Sequence, residues 1–531
     1  MTQTTLADSP TAEATRGIAR SAGIIALGNI ASRALGLVRD TVKSYYFGAT
    51  GAVSAYELAV IVPVTVYDLL IGGMVSSALV PVFSEYLARE KRDDLWRLVG
   101  TLFALLTVVM GVFVAVIQFS APAIAAFMAP SYSQDLRDLF VQLLRVLVFG
   151  LFFLSLSAVL TGLLYALKRF TLPTFTAAIF NLGIVIGAII LHERLGVVSL
   201  AIGLLAGSAL QVIVQLPGLR GVGFRVGVDW KHPGLRQIGR LYLPIILGLV
   251  ISNLAVLISA KLIAATGEQN VAWNDYATSL MQFPLGLVVT AVSVAILPTL
   301  SQTAVSSEAE FKATLAQGLK LVIALIVPAV FGMILLARPI NALIYEHGTF
   351  NALDSEAVSI VLQAQMIGVF FAAIDQPLII AFYARKDTLT PALVGMAGVG
   401  LYLVVAFVIS RLRPLVLIDL VVANDAQLAA HALIMLALFR RRSGGLGDTG
   451  VWRTLAKAAL AASGMAVMAW GTWIAVGWLA SLAIGDGLPQ RALAVFGPGL
   501  VGAGVYFFLA NRLNISEVRL AVSIIRQRLG L

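Results

Sequence analysis

The sequence has no cysteine and only four histidines among its 531 residues. The first absence excludes disulfides, thiolate metal sites and cysteine nucleophiles. The histidines, His192, His232, His347 and His431, are scattered, and no two have the spacing of a metal site. No glycine loop with its lysine is present to cradle a phosphate, which argues against nucleotide hydrolysis of the P-loop type. Paired acids in a catalytic arrangement are missing too, so the chain is not read as an enzyme and no cofactor is expected. Charge itself is scarce, with Asp, Glu, Lys and Arg making up 12% of the residues.

What fills the sequence is apolar. Hydrophobic residues make up 59% of it and the mean hydropathy is +0.94, values that exclude a water-soluble globule. A spanning helix takes roughly 20 apolar residues, and about fourteen such segments can be counted. The fold expected is therefore an all-α polytopic membrane protein. The net charge of +10 reads as topology rather than as affinity for nucleic acid: with a cytoplasmic amino terminus, roughly 26 of the lysines and arginines fall in inward segments against about 8 in outward loops. Both termini are then cytoplasmic.

A disordered cytoplasmic tail is expected over 1–18, before the first apolar segment, about Ala19 to Phe47. Arg16 and Arg20 mimic a signal peptide, but the run continues into Arg33 without a small-residue cleavage site, so a retained helix is expected. Within it, Ser32-Arg33-Ala34-Leu35-Gly36-Leu37-Val38-Arg39-Asp40 puts two guanidinium groups and a carboxylate at or near membrane depth. Each costs roughly 2.5 to 3.5 kcal/mol at a helix centre. Either these groups face a protein cavity and bind something, or the arginines snorkel to headgroups from a helix end. Arg33 and Asp40 share one helical face and Arg39 lies well round from Arg33, so Asp40 is expected to restrain one arginine. A ligand reaches both arginines only if the helix bends, with Gly36 as the expected place.

Segment two, about Ala52 to Tyr86, is too long for one straight span and contains Pro63, Gly72 and Gly73. Interrupted helices in transporters usually line a cavity. Glu57 and Asp68, eleven residues apart, fall on one face of an unbroken helix, either as a cavity pair answering Arg33 and Arg39 or as solvated acids at an outer end. Arg145 is the other arginine embedded in an apolar run. Asp419, Asn424, Asp425 and His431 in segment twelve, and Asp375 beside Pro377, are candidates for relaying protons or holding a cation.

The chain also repeats. Ala78-Leu79-Val80-Pro81-Val82-Phe83-Ser84 recurs as Ala295-Ile296-Leu297-Pro298-Thr299-Leu300-Ser301, and Tyr165-Ala166-Leu167-Lys168 with Pro173 recurs as Tyr383-Ala384-Arg385-Lys386 with Pro391. The offsets are roughly 217 and 218 residues. Six spans separate the copies, so the halves share one orientation, an arrangement expected to place a cavity between two lobes. The expected organisation is an N-lobe over 19–217 (helices 1–6), a basic cytoplasmic linker over 218–237 and a C-lobe over 238–439 (helices 7–12). A linker with two extra helices follows over 440–511, then an amphipathic cytoplasmic tail over 512–531.

Several blocks resemble the MurJ (MviN) family of lipid II flippases, in the multidrug/oligosaccharidyl-lipid/polysaccharide exporter superfamily. They are Ser32-Arg33 through Arg39-Asp40, Phe47-Gly48-Ala49, Ala78 through Tyr86, Gln282-Phe283-Pro284-Leu285-Gly286, Ile296 through Ser301, Glu346-His347-Gly348-Thr349-Phe350 and Phe382 through Pro391. The resemblance implies two six-helix lobes plus two helices, in a bacterial inner membrane. It also implies movement of an undecaprenyl-diphosphate-linked peptidoglycan precursor, lipid II, from the inner to the outer leaflet by alternating access. Membrane lipids and cell-wall synthesis proteins are the further partners implied.

Arg33 and Arg39 match two important arginines of the family pattern, whereas its cavity aspartate falls on Ser54. Its helix-two arginine pair falls on Tyr67 and Asp68, its glutamate before the second-helix glycine on Gly72, and its helix-eight Asp-Arg on Thr278 and Ser279. Segment eleven has neither acid nor amide, unlike sodium-coupled members. The expected binding residues are Arg33, Arg39, Asp40, Ser54, Glu57, Tyr67, Asp68 and Ser279. Two other readings stay open: a divergent paralogue moving another polyprenyl-linked glycan or a different solute, and a non-transporting scaffold for cell-wall enzymes.

Overall fold

The computed structural model describes residues 10–223, 227–483 and 487–519, and among these every regular element is a helix. The first are α1 (Pro10–Phe47), α2 (Gly51–Leu70), a π-helical turn (Val75–Leu79), α3 (Val80–Ala88) and α4 (Arg92–Met128). Then come α5 (Gln134–Leu147), α6 (Gly150–Ala166), α7 (Thr171–Thr174), α8 (Thr176–Leu195), α9 (Val198–Gln215) and α10 (Pro233–Thr266). A second helix–π–helix run joins α11 (Asn270–Pro284) through Leu285–Val289 to α12 (Thr290–Ser306). The remainder are α13 (Glu308–Ile344), α14 (Ala352–Ala384), α15 (Leu389–Leu412), α16 (Leu417–Ser443), α17 (Val451–Ala483) and α18 (Leu488–Arg512).

Twelve helical stretches among the described residues are long and apolar enough to cross a membrane, which makes this a multi-pass membrane protein. The count of fourteen is not reached on that measure. The two expected spans outside the twelve fall on α1, whose apolar stretch is interrupted by Arg33, Arg39, Asp40 and Lys43, and on the α11–α12 run. Helix α1 begins at Pro10, nine residues before the expected start, and runs unbroken through Gly36. Most of the expected amphipathic tail lies outside the described residues.

The chain divides into two compact units, Met1–Val271 and Ala272–Leu531. In the first, α1 packs on α8, α8 on α9, and α2 on α5, while α10 lies against α2 and α4. Helix α10 therefore groups with the first unit, although the repeat begins its second copy there. The α8–α9 contact is a backbone approach: a Cβ on Gly183 would stand 2.4 Å from Gly207 Cα, and one on Gly187 would stand 2.5 Å from Gly203 Cα. Glycines spaced by four on both helices let the axes close to a distance no larger residue allows.

In the second unit, α14 packs on α13 and α16, α15 on α16, and α13 on the α17–α18 hairpin. Helix α14 starts with a reciprocal cap: Asn351 Oδ1 accepts from Leu353 N at 2.8 Å and Asp354 N at 3.0 Å, while Asp354 Oδ2 accepts from Asn351 N at 3.2 Å. Three backbone donors at the helix start are thereby satisfied.

Each unit carries its own copy of one turn. Helix α6 and helix α14 both end in a left-handed lysine, Lys168 with φ 59° and Lys386 with φ 61°. In both, the following amide bonds back five residues, Arg169 N to Leu164 O at 2.8 Å and Asp387 N to Phe382 O at 3.0 Å. This closing geometry satisfies carbonyls at the helix end. A non-glycine residue with positive φ is uncommon, so its occurrence at both repeated lysines gives the sequence repeat a conformational counterpart.

Candidate substrate-binding site

The charged side chains near the end of α1 form a network within the first unit. Arg39 donates from Nε and Nη2 to Asp40 Oδ1 at 2.9 and 2.8 Å, and from Nη1 to Asn181 Oδ1 of α8 at 3.1 Å. Asn181 in turn donates through Nδ2 to the Ser32 carbonyl at 3.3 Å, tying α8 to the turn that holds Arg33. On the other side of Asp40, Lys43 Nζ lies 3.6 Å from Oδ1 and 2.5 Å from Glu57 Oε1 of α2. Two cations and two acids thus alternate along one chain of contacts.

Burial grades along that chain. Lys43 and Asp40 are enclosed, whereas Arg39 keeps 29% of its side-chain surface exposed. Charges this deep persist only when each finds an opposite partner and good hydrogen bonds, and alternation of sign provides that. Arg39 is the most exposed member of the four. Its planar fork suits the oxygens of a phosphate or diphosphate. Arg33, six residues earlier on α1, is exposed.

The other expected residues are placed separately. Ser54 is buried on α2, one turn before Glu57, so an acid stands one helical turn beyond the position where the family resemblance puts one. Glu57 meets Lys43, a residue that the sequence reading passed over. Its signal was available: Lys43 sits four residues after Arg39, on the same helical side as that arginine.

Tyr67 and Asp68 are half-buried at the end of α2, about 16 Å along the helix from Glu57. There the helix breaks at Ile71–Gly73, as the glycines suggested, while Pro63 is carried inside α2. Both Ile71 N and Gly72 N bond to the Tyr67 carbonyl, at 2.7 and 3.1 Å. The carbonyls released by the break converge on Tyr242 of α10, whose hydroxyl donates to Gly72 O at 2.7 Å and lies 3.2 Å from Leu69 O. Only a glycine fits at position 72, because a Cβ would stand 2.5 Å from the Asp68 carbonyl oxygen.

Ser279 lies in the second unit, half-buried on α11 beside Thr278. Here Gln365 of α14 donates to Asn274 Oδ1 at 3.2 Å and to Thr278 Oγ1 at 3.1 Å. A neutral amide–hydroxyl network occupies the stretch where the family resemblance places Asp-Arg. Arg145 is exposed on α5 and contributes its carbonyl to Gln118. Asp419 caps α16, accepting from Val416 N at 3.0 Å and from Arg413 at 2.6 Å. The capping role accounts for it without a relay.

Comparison with known proteins follows the same lines. A family model described as lipid II flippase MurJ matches residues 43–484. A protein of Vibrio cholerae serotype O1 described as a probable lipid II flippase MurJ is 29% identical over 513 residues, covering 92% of this chain and 95% of that one. The lipid II flippase MurJ of Burkholderia cenocepacia is 28% identical over 371 residues, 68% of this chain and 72% of its own. Among solved structures, a lipid II flippase MurJ in an inward closed conformation superposes with a TM-score of 0.75 at 21% identity, covering 96% of this chain and 99% of that one. An inward-facing multidrug resistance MATE transporter of the MOP superfamily gives 0.66 at 13% identity, over 79% and 96% of the two chains. With the family model covering residues 43–484, most of its length, the chain belongs to the lipid II flippase MurJ family.

Proposed function

We propose that this protein moves lipid II from the inner to the outer leaflet of a bacterial inner membrane by alternating access, with both termini in the cytoplasm. Family membership supports the substrate class, and the accessible guanidinium of Arg39, fixed between Asp40 and Asn181, carries the site assignment. In this reading Arg39 takes the diphosphate and Arg33 adds a second cation from the same helix. Lys43 and Glu57 keep Asp40 in place, and the broken helix at Ile71–Gly73, closed by Tyr242, is where α2 can flex. Cell-wall synthesis proteins that consume outward-facing lipid II are the expected partners.

Replacing Arg39 by alanine in purified, reconstituted protein should lower lipid II movement at least tenfold, about 1.4 kcal/mol of lost interaction. Removal of Arg33 should add to that loss. Unchanged movement in the double variant overturns the site assignment.

A second reading has its own support. The neutral Gln365–Asn274–Thr278 network and the Tyr67–Asp68 pair leave fewer cations than the family pattern supplies, which suits a different polyprenyl-linked glycan. Rescue of cells depleted of their own lipid II flippase supports lipid II; failure despite normal membrane expression supports the other glycan.

A further inference from the structure

The second unit holds buried acid and imidazole groups that a diphosphate site does not use. Helices α14 and α16 pack together, and titratable groups meet at two points of their seam. At one, His431 Nδ1 lies 2.7 Å from Asp375 Oδ2, and Nε2 of the same ring faces the Pro391 carbonyl of α15 at 3.4 Å. At the other, six residues earlier on α16, Asp425 presses its carboxyl onto Gly368 of α14. A Cβ at Gly368 would stand 2.2 Å from Asp425 Oδ1. Asp425 is 7% exposed, its carboxyl meets the Gly368 backbone, and Oδ1 has no side-chain hydrogen-bond partner among the described residues. Along α14 the two points are about 10 Å apart.

The remaining charged groups of the packed elements are engaged elsewhere or exposed. On α13, Lys312 pairs with Glu308, Arg338 pairs with Glu346 and Glu356, Glu310 is exposed, and Lys320 lies toward Gly450. On α14 itself, Asp354 meets Trp273 and Tyr383 is exposed. Helix α15 carries Arg411, over the Phe407 ring, and the buried Tyr402; α12 has no charged residue. On α16, Asp419 holds Arg413, and Arg440, Arg441 and Arg442 stand at its far end.

A carboxylate held inside a helix seam without a positive partner is costly. Intramembrane acids that persist mark ion or proton pathways. What completes Asp425 is therefore a cation, and the space limits which one. A metal ion gathers several oxygens around itself, whereas here a glycine backbone abuts the oxygen. Among the described residues no group of three or more His, Asp or Glu could hold a metal. A proton needs one lone pair and no added volume.

We propose that Asp425 is a proton-binding site of this protein, with the Asp375–His431 pair as a second protonatable station on the same seam. The step is a proton transfer alone: hydronium gives its proton to the carboxylate, one O–H bond forms as another breaks, and nothing is oxidised or reduced. Coupling of that proton to transport rests on the flippase reading; proton binding itself does not.

The test is infrared difference spectroscopy of the full-length protein in lipid, without substrate, as pH is stepped from about 4 to 9 in H2O and in D2O. A carboxylic-acid C=O band above the frequency of solvated surface carboxyls should appear and vanish with pH, shift in D2O, be lost in Asp425→Asn and be kept in the exposed-site variant Glu310→Gln. Exchange of potassium for sodium at constant pH should leave it unchanged. Absence of that high-frequency titrating band in the unaltered protein, its persistence in Asp425→Asn, or its removal by sodium each overturns the proposal. Since no lipid-linked substrate is present, this outcome is separate from whether lipid II is the cargo.

Discussion

Lys43 and Glu57 face each other from α1 and α2, Nζ 2.5 Å from Oε1, with the lysine almost wholly enclosed. This contact ties the charged turn of the first helix to the second helix. It also supplies the partner that lets Asp40 serve Arg39 on its other side.

Breaking one side of that pair should cost more than removing both. Lys43→Met alone removes the cation that Glu57 faces, while Asp40 keeps Arg39; the loss is about 3 to 5 kcal/mol for a buried pair. Lys43→Met with Glu57→Leu should recover much of it. Thermal unfolding of the purified variants checks this by the order of their midpoints, with the double variant above Lys43→Met.

The break in the second segment depends on one phenol. Tyr242→Phe leaves the Gly72 carbonyl unmet, a loss of about 1 to 3 kcal/mol. Hydrogen exchange should quicken over residues 67–79 and stay unchanged over α8 and α9. Gly72→Ala should do more damage than Tyr242→Phe, because its methyl meets backbone.

Asn181 orients Arg39 without carrying charge. Asn181→Ala should weaken lipid II movement by a few-fold, less than Arg39→Ala does, and Asn181→Asp should pull the guanidinium into a tighter pair and weaken movement further. A reconstituted flipping assay ranks the three.

The repeated turn of the second unit should respond to acid. Asp387 is held down to about 2 by the Thr390 hydroxyl and amide and by Arg442. A carboxylate lowered on folding stabilises the fold above its unfolded value, about 3.9, and loses that contribution as pH falls toward 2. Exchange at residues 385–390 should therefore quicken between about pH 4 and 2. Asp387→Asn should be fast there already at neutral pH and insensitive to that window.

Composition and periodicity by themselves determined that this chain is an all-helical membrane protein, because a long apolar run in lipid can satisfy its backbone only internally. The repeat was legible as well, since Lys168 and Lys386 end their helices in the same left-handed turn. The break at Gly72 and Gly73 could be read from the glycines. Arg33, Arg39 and Asp40 stood out because charge in an apolar run is conspicuous. Lys43 stood in the same helix yet gained meaning only when α2 brought Glu57 to it. Tertiary structure alone decided that Asn181, Tyr242, Gly368 and Gln365 matter. Each is an ordinary residue in its own segment, and each acts through a contact with a helix at least 70 residues away in sequence or, for Gly368, with Asp425 across a seam. Spacing along one helix fixes which face a side chain occupies; what waits opposite that face is set by packing between helices.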